Sequence, residues 1–181
     1  MKRLLPILLL LFPFIVEAQT PSFLGIPFGS SFQDVEAALD VRFSYASKYV
    51  PNDRSILEYG NSYVNIGDIY KFPSLFIHFR PVVGKNIMYA AELGGQLQKQ
   101  SSELVAKRDQ LKAYYAKKYP YTSYYLPEGG KFKFVKFGYD SNNIVGEIQI
   151  MVWMDGTIIK GYNLRIHYSP TSMELMDIKI N

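Results

Sequence analysis

From Val41 to Leu93, and again beyond Lys131, the chain breaks into short runs in which apolar and polar residues alternate between turn-forming clusters. Leu75, Ile77 and Phe79 alternate with Phe76, His78 and Arg80, and Ile87, Tyr89, Ala91 and Leu93 alternate with Asn86, Met88, Ala90 and Glu92. A period of two sends successive side chains to opposite faces of a strand, so these runs predict antiparallel strands covered on one side and wet on the other. The punctuation agrees, because Pro51-Asn52-Asp53, Gly60-Asn61, Gly67-Asp68, Pro73 and Gly84-Lys85-Asn86 supply residues that reverse a chain.

Two segments break this texture. Ser30 with Gln33 three residues on reads as a capping box, and Phe32, Val35 and Leu39 recur on one helical face, which predicts a helix over Ser31–Leu39. A second helix is predicted from Ser102 to Tyr119: Ser101 or Ser102 caps it, Leu104, Leu111 and Tyr115 mark its apolar side, Lys117 and Lys118 suit its carbonyl end, and Pro120 stops it. Strands follow at Lys131–Phe137, Ile144–Met154, a run ending at Tyr168, and Ser172–Ile180. Between the second and third, Asp155-Gly156 predicts a type I′ hairpin turn with positive φ at both positions.

Alternation also assigns faces here. Glu147, Gln149, Met151 and Trp153 oppose Ile148, Ile150, Val152 and Met154, while Asn163, Arg165 and His167 oppose Leu164, Ile166 and Tyr168. The order helix, strands, helix, strands predicts an α+β fold, a curved antiparallel sheet of about eight strands with two helices on one face, divisible into two αβ halves.

The N terminus reads as an export leader: Met1-Lys2-Arg3, an apolar run from Leu4 to Val16, then Val16-Glu17-Ala18 ahead of Gln19. Cleavage after Ala18 is expected, leaving residues 19–181 as a single domain in the periplasm or outside the cell. The leader's apolar run is shorter than the about 20 residues a spanning helix needs, and no later segment reaches that length, so no stable membrane insertion is expected after cleavage. The chain has no cysteine, so packing alone must hold the domain, and there is no thiol to carry a lipid.

Catalytic and cofactor readings meet shortages. The two histidines, His78 and His167, fall on strands beside Arg80 and Arg165, which suits a solvated sheet face better than a cation site. No nucleophile elbow, phosphate-binding glycine loop or His-Glu-x-x-His segment is present, so no catalytic residue, metal or cofactor is assigned. The carboxylates Asp53, Glu58, Asp68, Glu92, Glu147 and Asp155 leave a small carboxylate-dependent hydrolase as the alternative, although three of them sit in turns that favour aspartate for backbone reasons. Basic residues number 20 and acidic 16, with Lys2, Arg3 and Glu17 in the leader. The mild excess is spread over Lys107-Arg108, Lys117-Lys118 and Lys131-Phe132-Lys133, so no nucleic-acid partner is expected.

Tyrosine is the unusual component: 15 occur, six of them between Tyr114 and Tyr125. A half-buried sheet accounts for most of them, because Tyr packs its ring and wets its hydroxyl. The sharper reading makes some of them a rigid amphipathic surface for a protein, peptide or glycan. The candidate ligand-binding residues are Tyr121, Tyr124, Tyr125 and Trp153, with Lys131 and Lys133 at the rim on alternate positions of the adjoining strand.

The segment Gly25-Ile26-Pro27-Phe28-Gly29-Ser30-Ser31-Phe32-Gln33-Asp34-Val35 resembles the openings of small exported Bacteroidetes proteins of unknown function. The helix-plus-meander halves are similar in outline to β-lactamase-inhibitor-like folds and to outer-membrane assembly lipoproteins, whose lipid-bearing cysteine is missing here. The resemblance implies a binding module and carries no site residue onto this sequence; the residues themselves give a non-enzymatic module acting through a sheet face or a groove beside the second helix. A structural subunit of an envelope assembly is a third expectation, and its sign is exposed backbone on an edge strand.

Overall fold

The structure is a computed structural model that describes residues 21–171. The expected leader, the expected cleavage point ahead of Gln19 and the expected strand Ser172–Ile180 lie outside the described residues. A small hairpin of β1 (Ser22–Phe23) and β2 (Ile26–Pro27) opens the chain. There follow α1 (Phe32–Arg42), β3 (Ser47–Tyr49), β4 (Ile56–Ile66), β5 (Tyr70–Val82) and β6 (Lys85–Gly94). The second half is α2 (Ser102–Ala116), β7 (Tyr121–Tyr125), β8 (Phe134–Asp140), β9 (Asn143–Asp155) and β10 (Ile158–Tyr168).

Eight strands form one antiparallel sheet in the order β3-β4-β5-β6-β10-β9-β8-β7. Each half is thus a helix followed by a four-strand meander, and the halves join where their last strands pair, with Leu93 opposite Ile166 and Glu92 opposite His167. The fold is the expected α+β arrangement.

Both helices start near a pair of serines, and the structure decides between them at α1. Gly29 N donates to Met88 O (2.8 Å) and Met88 N to Ser30 O (2.9 Å), which ties Ser30 to β6. The cap therefore falls one residue later than the predicted capping box: Ser31 Oγ accepts from Asp34 N at 3.3 Å, and the helix runs past Leu39 to Arg42. In α2 the predicted face is buried at Leu104, Leu111 and Tyr115, together with Arg108. That helix ends at Ala116, before Pro120, because Lys117 and Lys118 donate three residues back, to Tyr114 O and Tyr115 O, and tighten the last turn.

The covered face alternates as the period required. Leu57, Leu75, Ile77, Leu93, Ile148 and Ile166 are fully buried beneath the helices, each contributing about 1.5–3 kcal/mol relative to exposure. On β6 the strict alternation fails. His78 pairs with Ala90 but Phe79 with Met88, so a bulge at Tyr89 turns Met88 into the core and leaves Ile87 half-buried. The β9–β10 turn also differs from expectation. Asp155 pairs with Ile158, so the loop is Gly156–Thr157, and only Gly156 takes positive φ, the arrangement of a type II′ turn with glycine first. Strand β8 begins at Phe134, which leaves Lys131 and Lys133 in the preceding loop rather than on alternate strand positions. Among the described residues no helix is long and apolar enough to cross a membrane.

Candidate functional site

Both helices lie on one face, and among the described residues no helix covers the opposite face of the sheet. A groove of about 580 Å³ opens over β5, β6 and β10. Phe76, Glu92 and Arg165 lie along it, Ile56 borders it on the β4 side, and Trp153 and Leu97 border it on the other.

The Trp153 rim comes from a departure of two strands from the sheet. Strand β9 pairs with β8 no further along than Ile148, and β10 pairs with β6 only from Arg165 onward. The hairpin between Met151 and Tyr162 therefore continues past the sheet as a two-stranded ribbon, tied back by a bridge from Gln98 to Tyr162. Gly161 sits opposite Trp153 on this ribbon. A Cβ at Gly161 would lie 2.8 Å from Gln98 O and 2.9 Å from Leu97 Cγ, so glycine is what lets the segment after β6 lie against the ribbon. Trp153 is 50% exposed and Leu97 52%, and Ile158 and Met154 at the ribbon's end are exposed as well.

The floor of the groove is charged but internally matched. Arg165 Nη1 lies 3.1 Å from Glu92 Oε2, and His167 Nδ1 lies 3.7 Å from the same oxygen. The His78 ring is 6.4 Å from that of His167. Burial holds the His78 imidazole below the ordinary histidine range. Glu92 opposes that shift, while His167 and Arg165 reinforce it. His78 Nε2, Asn163 Oδ1 and Arg165 Nε are buried without a hydrogen-bond partner among the described residues. Further across the same face, Glu147 Oε2 accepts from Tyr125 OH at 2.7 Å and from Gln149 Nε2 at 3.0 Å. Burial, and then that bond to Glu147, push the Tyr125 phenol well above its usual range. Among the described residues no group of three or more His, Asp or Glu is gathered to hold a cation.

The structure divides the predicted binding residues. Tyr121, Tyr124 and Tyr125 all belong to β7, the outermost strand. Tyr121 and Tyr125 are half-buried on the open face, whereas alternation sends Tyr124 to the helix face. There Tyr124 OH donates to Asp109 Oδ1 at 2.9 Å, and its ring lies under Arg108 and Lys112. Trp153 is on the open face, two strands inward and about 13 Å farther along than Gln149. Tyr124 and Trp153, the two most exposed of the four aromatic candidates, therefore lie on opposite faces of the sheet. Lys131 is exposed, with Nζ 3.2 Å from Tyr162 OH, and Lys133 is exposed while its carbonyl accepts from Arg108 Nη1 at 2.8 Å.

Of the remaining tyrosines in this stretch, Tyr115 is core, stacked 4.1 Å from Phe137, and its hydroxyl bonds that of Tyr168. Sequence reasoning passed over Phe76, Leu97 and Arg165 as site residues. Alternation did assign Phe76 and Arg165 to the polar faces of their strands, but only the pairing of β6 with β10 brings those faces together. Compared with family models, with curated proteins and with solved structures, the chain has no match, so the grooved face and the tyrosine strand are read from their own geometry.

Proposed function

We propose that this chain is an exported, non-enzymatic binding module that holds a protein, peptide or glycan on the open face of its sheet. The observation that carries the reading is the groove with Trp153 and Leu97 at its rim, two large apolar side chains left half in water beside a preformed concavity. A rigid Trp beside the groove supplies contact area with little entropic cost. The carboxylates favour binding over hydrolysis. Glu92 is held by Arg165, Glu147 is held by Tyr125 and Gln149, and the strand that carries His167 lies between the two.

A photo-reactive side chain introduced in turn at positions 153, 97 and 41, in the cell that makes the protein, tests the reading. Val41 on α1 is 84% exposed and lies away from the open face, so it reports non-specific encounters. Adducts from 153 and 97 with none from 41 are expected. Equal adducts from all three positions, or adducts from 41 alone, would count against an open-face partner.

A further inference from the structure

The sheet has two edges, and they are built differently. At one edge β3 is three residues long, with Lys48 at its centre reaching Asp40 at 2.7 Å and Glu36 at 3.1 Å. Beyond the reach of β3, β4 bulges where its pairing with β5 shifts register between Gly60 and Val64, with Asn61 (φ 60°) and Tyr63 (φ 51°) in the left-handed region. Tyr45 OH donates to Ser62 O at 2.9 Å inside that irregularity. A short strand, a central lysine and a bulge are the devices by which natural sheets block further strand addition.

At the other edge β7 has none of them. Its five residues, Tyr121-Thr122-Ser123-Tyr124-Tyr125, carry no charge and pair with β8 in an unbroken register from Tyr121 opposite Gly138 to Tyr125 opposite Phe134. Among the described residues no strand lies on its outer side. Pro120 and Pro127, which lack an N–H, bracket the segment and confine any added strand to the residues between them.

We infer that β7 pairs antiparallel with β7 of a second copy of this chain, about a two-fold axis at Ser123. The self-match argues for this occupant over an unrelated peptide. In that register Tyr121 stands opposite Tyr125 of the second copy, twice, on the open face, and Thr122 stands opposite Tyr124 on the helix face. Aromatic partners directly across a ladder are among the more stabilising cross-strand pairs. The two Tyr124 rings become diagonal neighbours, within reach of long aromatic side chains, which gives the 40% exposure of Tyr124 a cover. Charges beside the strand are mixed on both faces, Lys136 with Glu147 and Arg108 and Lys112 with Asp109, so a two-fold copy meets no field of one sign. The inference uses neither Trp153 nor the groove, and it stands apart from the open-face reading.

Ser123 provides the test, because the axis places it opposite itself. Ser123 is half-buried, and its Oγ donates to Tyr124 O at 3.3 Å. Sedimentation equilibrium of the purified chain from about 1 µM to about 1 mM, where weak contacts associate, should show reversible dimerisation. Ser123→Lys and Ser123→Glu, each checked for folding by circular dichroism, should each weaken the dimer about fivefold or more by like-charge repulsion, and an equimolar mixture of the two should restore it. Hydrogen exchange on the unaltered chain covers the case in which a variant does not fold: amides 121–125 should gain protection as concentration rises. A chain that stays monomeric throughout, a dimer indifferent to both variants, or protection that grows elsewhere would overturn the inference.

Discussion

The two faces of one sheet carry residues from the same strands and have opposite characters. On β5 the helix side is Leu75, Ile77 and Phe79, all buried, and the open side is Phe76, His78 and the cation Arg80, all partly exposed. On β10 the helix side is Leu164, Ile166 and Tyr168, and the open side is Asn163, Arg165 and His167. The covered face gathers the residues whose removal from water stabilises the fold. The open face pairs some of its polar groups, as Arg165 with Glu92 and Tyr125 with Glu147, leaves others such as His78 Nε2 unmatched among the described residues, and carries a few apolar side chains beside a groove. If the open face binds as proposed, the difference separates stability from recognition: a substitution on one side of a strand should move the first, and one on the other side the second.

The largest effect is expected from the covered face. Leu111 is fully buried at the centre of the α2 contact with the sheet. Leu111→Ala should cost about 2–5 kcal/mol in chemical unfolding. A loss near about 0.5 kcal/mol, the scale of a surface change, would mean that α2 does not cover this face as described.

A smaller effect should come from the groove floor, and it depends on pH. Burial lowers the His78 pKa in the folded protein, so the unfolded chain takes up its proton first as pH falls through about 6.5. Below that value the unfolded state binds more protons, and stability should decline with falling pH until the folded imidazole also titrates at its lower value. His78→Gln should flatten that decline relative to the unaltered chain. An unchanged slope between the two would show that the His78 environment carries no such cost.

How much of this was readable beforehand follows the range of each interaction. The alternation on β5 and the apolar face of α2 are local, and Leu75, Ile77, Phe79, Leu104, Leu111 and Tyr115 fell where their periods put them. Ser30 and Ser31 are chemically the same cap, and what chose between them was a pair of hydrogen bonds to Met88, far along the chain. The Tyr89 bulge that turns Met88 inward is likewise set by the register of the neighbouring strand. Strand β7 has no apolar–polar alternation to announce it, so Tyr121, Tyr124 and Tyr125 could be named as a group but not assigned to faces. The groove joins Glu92 to Arg165 through the one pairing between the two halves, a contact no local pattern encodes.

The account turns on the open face being spare for the fold and needed for the partner, and Trp153 separates these two demands in a single variant. It is half exposed on a ribbon that, among the described residues, pairs with itself and with Gln98, so Trp153→Ala should change unfolding free energy by less than about 0.5 kcal/mol. The direct measurement is the yield of partner adduct from a photo-reactive group at position 97, compared with and without Trp153→Ala, alongside chemical unfolding of both chains. The account predicts loss of the adduct with unfolding unchanged. An adduct that survives the substitution, or is lost only because the domain unfolds, would contradict it.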